Sequence, residues 1–152
     1  MFELQTVIFR LNDQLCGVDA SQVSEIRKYQ NVARMPKLPK FVKGIINLRG
    51  LVVPVVDLNE RFEIGETEIK KETKIIITQV KNKYVGFIVN DVFEISKFTD
   101  EDLELPPETI YQSGNSYVKH IAKEDNKLIT ILDMEKVLTD NEVKRISNKK
   151  KN

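Results

Sequence analysis

The side chains that could do chemistry in this sequence are few, and they are spaced for other work. Asp57 and Asp133 could act as a general acid or base, but each closes an apolar run, "VVPVVDL" and "LITILDM", just ahead of a turn or short helix. A carboxylate there reads as a side-chain cap on backbone N–H groups that lack partners. His120, the only histidine, stands beside Ile121 and reads as a half-buried structural residue. Cys16, the only cysteine, lies inside an apolar run and reads as a small core side chain that can form no internal disulfide. One His and one Cys cannot build a zinc-type cluster, and no phosphate loop, nucleophile elbow or paired-carboxylate motif occurs. Neither metal, nor cofactor, nor catalysis is expected.

Binding chemistry has better material. In "KGIINLRGLVVPVVDLN" a lone Arg49 sits in the polar break Asn47-Leu48-Arg49-Gly50 between two apolar runs. It reads as a presented contact on a turn; the structural alternative is that it folds back on Asp57 or on strand carbonyls. Upstream, "RMPKLPKFVKGI" carries Pro36, Pro39 and Gly44, and proline stiffens such a connection for presentation.

The net charge of +1 conceals a separation of sign. From Arg27 to Arg49 there are seven basic residues and no acid, whereas Phe98 to Val118 holds Asp100, Glu101, Asp102, Glu104 and Glu108 and no Lys or Arg. Such opposed faces suit docking to charged partners. The basic span, with Tyr29 and Phe41 within it, also permits an alternative reading as a small β-barrel that binds single-stranded nucleic acid. Its two aromatics are few for that role, and the acidic stretch would repel phosphate.

The elements that must position these residues are strands. At 152 residues and 41% hydrophobic content the chain can build a core. No apolar run approaches the roughly 18 residues that span a bilayer, and no leader pattern opens the chain, so residence in the cytoplasm without membrane insertion is expected. "TVIFRL", "QLCGVD", "GIINL", "LVVPVVDL", "KIIITQV", "YVGFIVN", "VFEISKF" and "KLITILDM" are short β-rich runs parted by polar turns. Helix is predicted only around Ala20 to Ile26, at Leu58 to Phe62, and from Asp133 through "MEKVLTDNEVKRI".

The runs repeat. "GVDASQVSEI" matches "GFIVNDVFEI", with Gly17 on Gly86, Val23 on Val92, Glu25 on Glu94 and Ile26 on Ile95. "VIFRLNDQLCG" lies on "IITQVKNKYVG" at the same spacing, and after an insertion "FVKGI" lies on "YVKHI" and "VVPVVDL" on "LITILDM". Matched blocks in one order indicate a duplicated β unit. Where the first copy has Asn47-Leu48-Arg49-Gly50, the second has Lys123-Glu124-Asp125-Asn126, so the turn is shared and its charge is not.

The stretch "LPKFVKGIINLRGLVVPVVDLNERF", with "VIFRLNDQLCGVDASQVSEIRKY" before it and "VGFIVNDVFEI" after it, resembles the signature of the CheW-like family of bacterial chemotaxis coupling proteins. The resemblance covers nearly the whole chain. It implies an all-β fold of two small five-stranded SH3-like β-barrels packed together, with short helices and a C-terminal helix. We set the lobes at approximately 1–65 and 66–140, with strands possibly exchanged between them and a tail at 141–152; residues 63–72 are the most polar place to cut. The implied role is an adaptor without catalysis, tying the cytoplasmic tips of methyl-accepting chemoreceptors to the regulatory domain of the histidine kinase CheA in membrane-associated arrays. Carried over residue by residue, Val23, Glu25, Ile26, Asn47 and Arg49 become the receptor-binding candidates. The kinase-binding surface is not assigned beyond exposed barrel edges.

Overall fold

The structure, a computed structural model, describes residues 2–112 and 116–147. Among the described residues, eleven strands form two sheets. The first copy of the repeat supplies β1 (Leu4–Leu11), β2 (Gln14–Asp19), β3 (Val23–Lys28), β4 (Val42–Leu48) and β5 (Leu51–Asp57); the short helix α1 (Leu58–Arg61) follows. The second supplies β6 (Lys74–Val80), β7 (Lys83–Val89), β8 (Asp91–Phe98), the two-residue β9 (Leu103–Glu104), β10 (Val118–Glu124) and β11 (Lys127–Leu132), with helices α2 (Glu108–Gln112) and α3 (Asp140–Ser147).

The sheets do not follow the copies. One sheet runs β8-β1-β2-β11-β10-β9 and the other β3-β6-β7-β5-β4, so each takes its first hairpin from one copy and its remaining strands from the other. The exchange is reciprocal down to register. Ile131 of β11 lies beside Gly17 of β2 in parallel pairing, and Val55 of β5 lies beside Gly86 of β7 in the same way. A Cβ on Gly17 would come within 2.5 Å of Thr6 Cγ2, and one on Gly86 within 2.9 Å of Ile75 Cγ2, so both copies keep glycine at the crowded interior of a small sheet.

The same arrangement explains the unbroken apolar runs. In β6, Ile75 and Ile77 face the interior of their own sheet with Val55 and Ile88, while Ile76 faces a larger cluster shared with Val7, Phe9 and Val18 of the other sheet. Ile8 of β1 likewise faces inward with Ile129 and Ile131. Strands buried on both faces lose the alternation that marks a half-exposed sheet.

Three features differ from the sequence-based expectation. The segment Ala20 to Ile26 is a single 3₁₀ turn, Ala20–Gln22, that passes directly into β3. The closing helix begins at Asp140, because Thr139 and Glu142 cap it reciprocally: the Thr139 N–H donates to Glu142 Oε1 and the Glu142 N–H to Thr139 Oγ1. It carries Val143 and Ile146 into the shared core, so the chain set down as a tail is folded as far as Ser147; the basic residues 148–152 lie outside the described residues. The polar segment 63–72 is tied down. Thr67 is 4% exposed and donates from its N–H to Asp57 Oδ2 at 2.8 Å and from its hydroxyl to Asp57 Oδ1 at 2.6 Å.

Candidate functional site

Arg49 and Gly50 are the two central residues of the β4–β5 hairpin, flanked by the pair Leu48 and Leu51. Both have positive φ, 51° at Arg49 and 89° at Gly50, the geometry of a tight turn matched to strand twist. Gly serves that backbone freely; Arg adopts it at a cost. The turn is held from within, since the Gly50 N–H donates to Asn47 Oδ1 at 2.7 Å. Asn47 therefore fixes the loop that aims Arg49.

The target of the aim is Glu25. Arg49 Nη2 lies 2.9 Å from Glu25 Oε1, and Arg49 Nη1 donates to Oε2 at 3.3 Å, while Arg27 Nη1 reaches the same Oε2 at 2.8 Å. The two strands concerned, β3 and β4, are opposite edges of one sheet, and the sheet curls until they meet. An isolated bridge between Ala33 and Ile45 closes the gap. Gly44 beside it has φ 144°, and a Cβ there would lie 2.0 Å from the Ala33 carbonyl oxygen, so only glycine permits the closure. A bulge between Val23 and Glu25 adjusts the facing edge.

The structure thus brings Glu25 and Arg49 into contact, with Asn47 beneath the turn. Ile26, 41% exposed, stands next to Glu25, and Val23 is half-buried against the shared core. The Arg49 guanidinium, then that of Arg27, holds the Glu25 carboxyl down to about 2, against an ordinary value of 4.5. The same hydrogen bond raises Arg49 further. The pair is nonetheless open to solvent, with side-chain exposure of 68% for Arg49 and 27% for Glu25. What it can do is present a fixed, solvated guanidinium where the two edges of the curled sheet meet. Beside it the exposed Leu51, Val52 and Tyr84 line a groove of about 660 Å³. Sequence reasoning did not pick these three as surface, because each belongs to a run that is otherwise core.

The second copy repeats the scaffold without the pair. Glu94 and Ile95 are exposed on β8, but the matching hairpin carries Asp125 (φ 48°) and Asn126 (φ 65°) where the first has Arg49 and Gly50.

The residues set aside as catalysts occupy structural positions. Asp57 is 1% exposed and caps α1, accepting from the Glu60 N–H at 3.3 Å as well as from Thr67. It makes no contact with Arg49. Asp133 Oδ1 accepts from the Glu135 N–H at 3.0 Å and from Gln22 Nε2 at 2.9 Å. Burial pushes the Cys16 thiol up to about 12 and, with Lys119 nearby, pulls the half-buried His120 below its ordinary value. Among the described residues, no group of three His, Cys, Asp or Glu converges as a metal site would, and no helix is long and apolar enough to cross a membrane. The basic span is partly neutralised from outside itself, since Lys43 pairs with Glu60 at 2.6 Å and Glu66 at 2.9 Å. Its aromatics are engaged too: Tyr29 packs on the second sheet's core and Phe41 lies under Arg61, 5.3 Å from the ring centroid. No stacking platform for bases remains there.

Residues 5–142 match the family described as CheW-like domain. The chain is 33% identical over 132 residues to the chemotaxis protein CheW of Bacillus subtilis, covering 87% of this chain and 85% of that one. It is 30% identical over 142 residues to CheW of Klebsiella aerogenes, covering 93% and 86%. Among solved structures, the scaffolding protein TtCheW from Thermoanaerobacter tengcongensis superposes with a TM-score of 0.82 at 34% identity, over 93% of this chain and 96% of that one. None of these similarities supports the nucleic-acid-binding alternative.

Proposed function

Because the chain belongs to the CheW-like family, we propose that it is a chemotaxis coupling protein, a non-catalytic scaffold that joins chemoreceptor cytoplasmic tips to the regulatory domain of the kinase CheA. It works in the cytoplasm and is recruited to membrane-associated receptor arrays. The receptor-side contact is the corner formed by Val23, Glu25, Ile26, Asn47 and Arg49. The observation that carries this reading is Arg49 itself, a bulky cation kept in a left-handed turn, locked by Glu25, and still 68% exposed. Backbone strain at an exposed position is commonly retained where a side chain must be presented. The kinase side is left to the exposed barrel edges, which the sheet orders place at β3, β4, β8 and β9.

Physically, the role asks for modest contacts that act together. Each interface is expected to bury on the order of 1,200 Å² or less, and tethering in an array raises the effective concentration of every next contact.

The test is reconstitution. A receptor cytoplasmic fragment and the kinase are mixed with and without this protein, and autophosphorylation is followed, with receptor capture measured beside a salt-titrated oligonucleotide shift. Kinase activity that rises only with all three components supports the reading. Equal activity with and without the chain, or tight and steeply salt-dependent oligonucleotide binding with no receptor capture, overturns it.

A further inference from the structure

The two copies differ at a second position beside the Arg49 corner. Counting along the repeat that sets Glu25 on Glu94, Arg27 falls on Ser96, just as the Arg49-Gly50 turn falls on Asp125-Asn126. Both arginines therefore belong to the copy that carries the ion pair, and both are missing from the copy that keeps only the glutamate. Glu25 and Arg27 share one face of β3, because side chains alternate along a strand: Ser24, Ile26 and Lys28 are exposed, and Val23, Glu25 and Arg27 are half-buried.

The fold itself gains little from an arginine here. The Arg27 Nε–H is buried and has no hydrogen-bond partner among the described residues, and a buried donor left unpaired costs free energy. A shorter side chain, such as Ser96 in the second copy, carries no such group. The hydrogen bond that Arg27 does make is at its far end, where Nη1 donates to Glu25 Oε2 at 2.8 Å. That bond changes how Glu25 holds Arg49. An arginine alone on a carboxylate favours two parallel hydrogen bonds, one to each oxygen. With Oε2 already engaged by Arg27, the Arg49 contact to it is 3.3 Å, while the contact to Oε1 stays at 2.9 Å. The carboxylate is thus fixed from within its own strand and grips the turn arginine across the closure between β3 and β4, with the Arg49 side chain still 68% exposed.

We propose that Arg27 is a positioning residue for the presented cation: by holding Oε2 it sets the carboxylate that aims Arg49, and it acts on a partner only through Arg49. The inference rests on the reading of this corner as the receptor-side contact. Without Arg27, the Glu25 carboxylate is free to turn about its own side-chain bonds, and Arg49 either closes on both oxygens or parts from them. Neither arrangement keeps one cation fixed and facing outward, and the cost of ordering it then falls on binding.

Titration calorimetry with a receptor cytoplasmic fragment tests this on Arg27→Gln, Arg27→Lys, Arg49→Gln and the double variant Arg27→Gln with Arg49→Gln, beside side-chain NMR relaxation of Arg49 and the Glu25 carboxyl titration. Arg27→Gln should melt like the wild type, raise the Glu25 midpoint from about 2 part of the way to 4.5, loosen the Arg49 guanidinium and weaken receptor binding ~10-fold. Arg27→Lys, which keeps a charged donor, should recover most of the affinity. In the double variant, Arg27→Gln should add almost nothing to the loss from Arg49→Gln, because residues acting through one contact are not additive. Where Arg49→Gln impairs binding, an Arg27→Gln protein that binds normally overturns the proposal whatever its melt, and so do additive losses. Should Arg49→Gln itself leave binding unaltered, the receptor reading falls, and the relaxation of Arg49 in Arg27→Gln, which needs no partner, decides the role of Arg27: a loosened guanidinium supports it and an unchanged one refutes it. If Arg27→Gln does not fold, Arg27→Ser, which installs the residue of the second copy, takes its place; if neither folds, Arg27 serves the fold and the proposal fails.

Discussion

Arg49→Glu separates a presented contact from a structural one. The substitution breaks the pair with Glu25 and places two carboxylates together with only Arg27 to offset them. Because the Arg49 side chain is 68% exposed and the pair is solvated, little stability depends on it. For a chain of this size the melting temperature should move by no more than ~2 °C. Receptor binding should respond far more, because reversing a charge at a contact replaces attraction with repulsion. A dissociation constant ~30-fold weaker or worse is expected when the opposing charge is close and desolvated. The assay is thermal melting by circular dichroism beside titration calorimetry with a receptor cytoplasmic fragment. Asp125→Lys in the matching turn is the control and should leave receptor binding unchanged. Exchanging the charges, Glu25→Arg with Arg49→Glu, restores an ion pair but not the presented cation, so binding should remain lost. An Arg49→Glu protein that melts many degrees lower while its folded fraction binds normally would refute the reasoning.

Other expectations follow from the core and the titrating groups. Val55→Asp and Ile131→Asp each put an unpaired carboxylate at a position with 0% exposure, at a cost of several kcal/mol against a total stability of about 5–15 kcal/mol. Both should unfold the molecule in one transition, because each sheet holds strands of both copies; a wild-type melt, or two separate steps, would contradict this. Glu25, with its folded pKa lowered to about 2, contributes a small stability, screened because the pair is solvated, that is complete above the ordinary 4.5, shrinks as pH falls below it, and is gone below about 2. A carboxyl chemical-shift titration should find a midpoint near 2, and Arg49→Gln should move it back toward 4.5; an unshifted midpoint would deny the pair. Cys16, pushed up to about 12 by burial, should resist thiol reagents at pH 8 until denaturant is added; prompt labelling of the native protein would place it at the surface.

Strand identity was legible because the runs are β-branched and punctuated by polar turns, and "QLCGVD" and "KIIITQV" coincide with β2 and β6 residue for residue. The start of β3, Val23 to Ile26, reads from its own residues as part of a helical turn, although its repeat-mate "VFEISKF" reads as strand. Ser24 and Glu25 have weak strand preference of their own, and what holds them extended is pairing with β6, far along the chain. The linker at 63–72 looked like the place to cut because it is polar. Composition cannot show that Asp57 and Asn59 reach out to Thr67 from a buried position. The Arg49 turn was legible as a break between apolar runs, but its partner was not. Asp57 was the nearby acid in sequence, whereas Glu25 becomes the neighbour only when the sheet has curled edge to edge. That closure depends on register, which no local pattern encodes.

The reciprocal exchange of strands bears on where such a chain could have come from. Each copy of the unit holds a hairpin that belongs in one sheet and three or four strands that belong in the other, so alone it can complete neither. Its simplest folded form is a two-fold homodimer in which each molecule lends its hairpin to the other. Joining two such genes end to end turns the partner into a tethered neighbour, makes assembly independent of concentration, and ends the obligation of symmetry. From then on the same turn could be Arg-Gly in one half and Asp-Asn in the other, and one ancestral surface could serve two different partners.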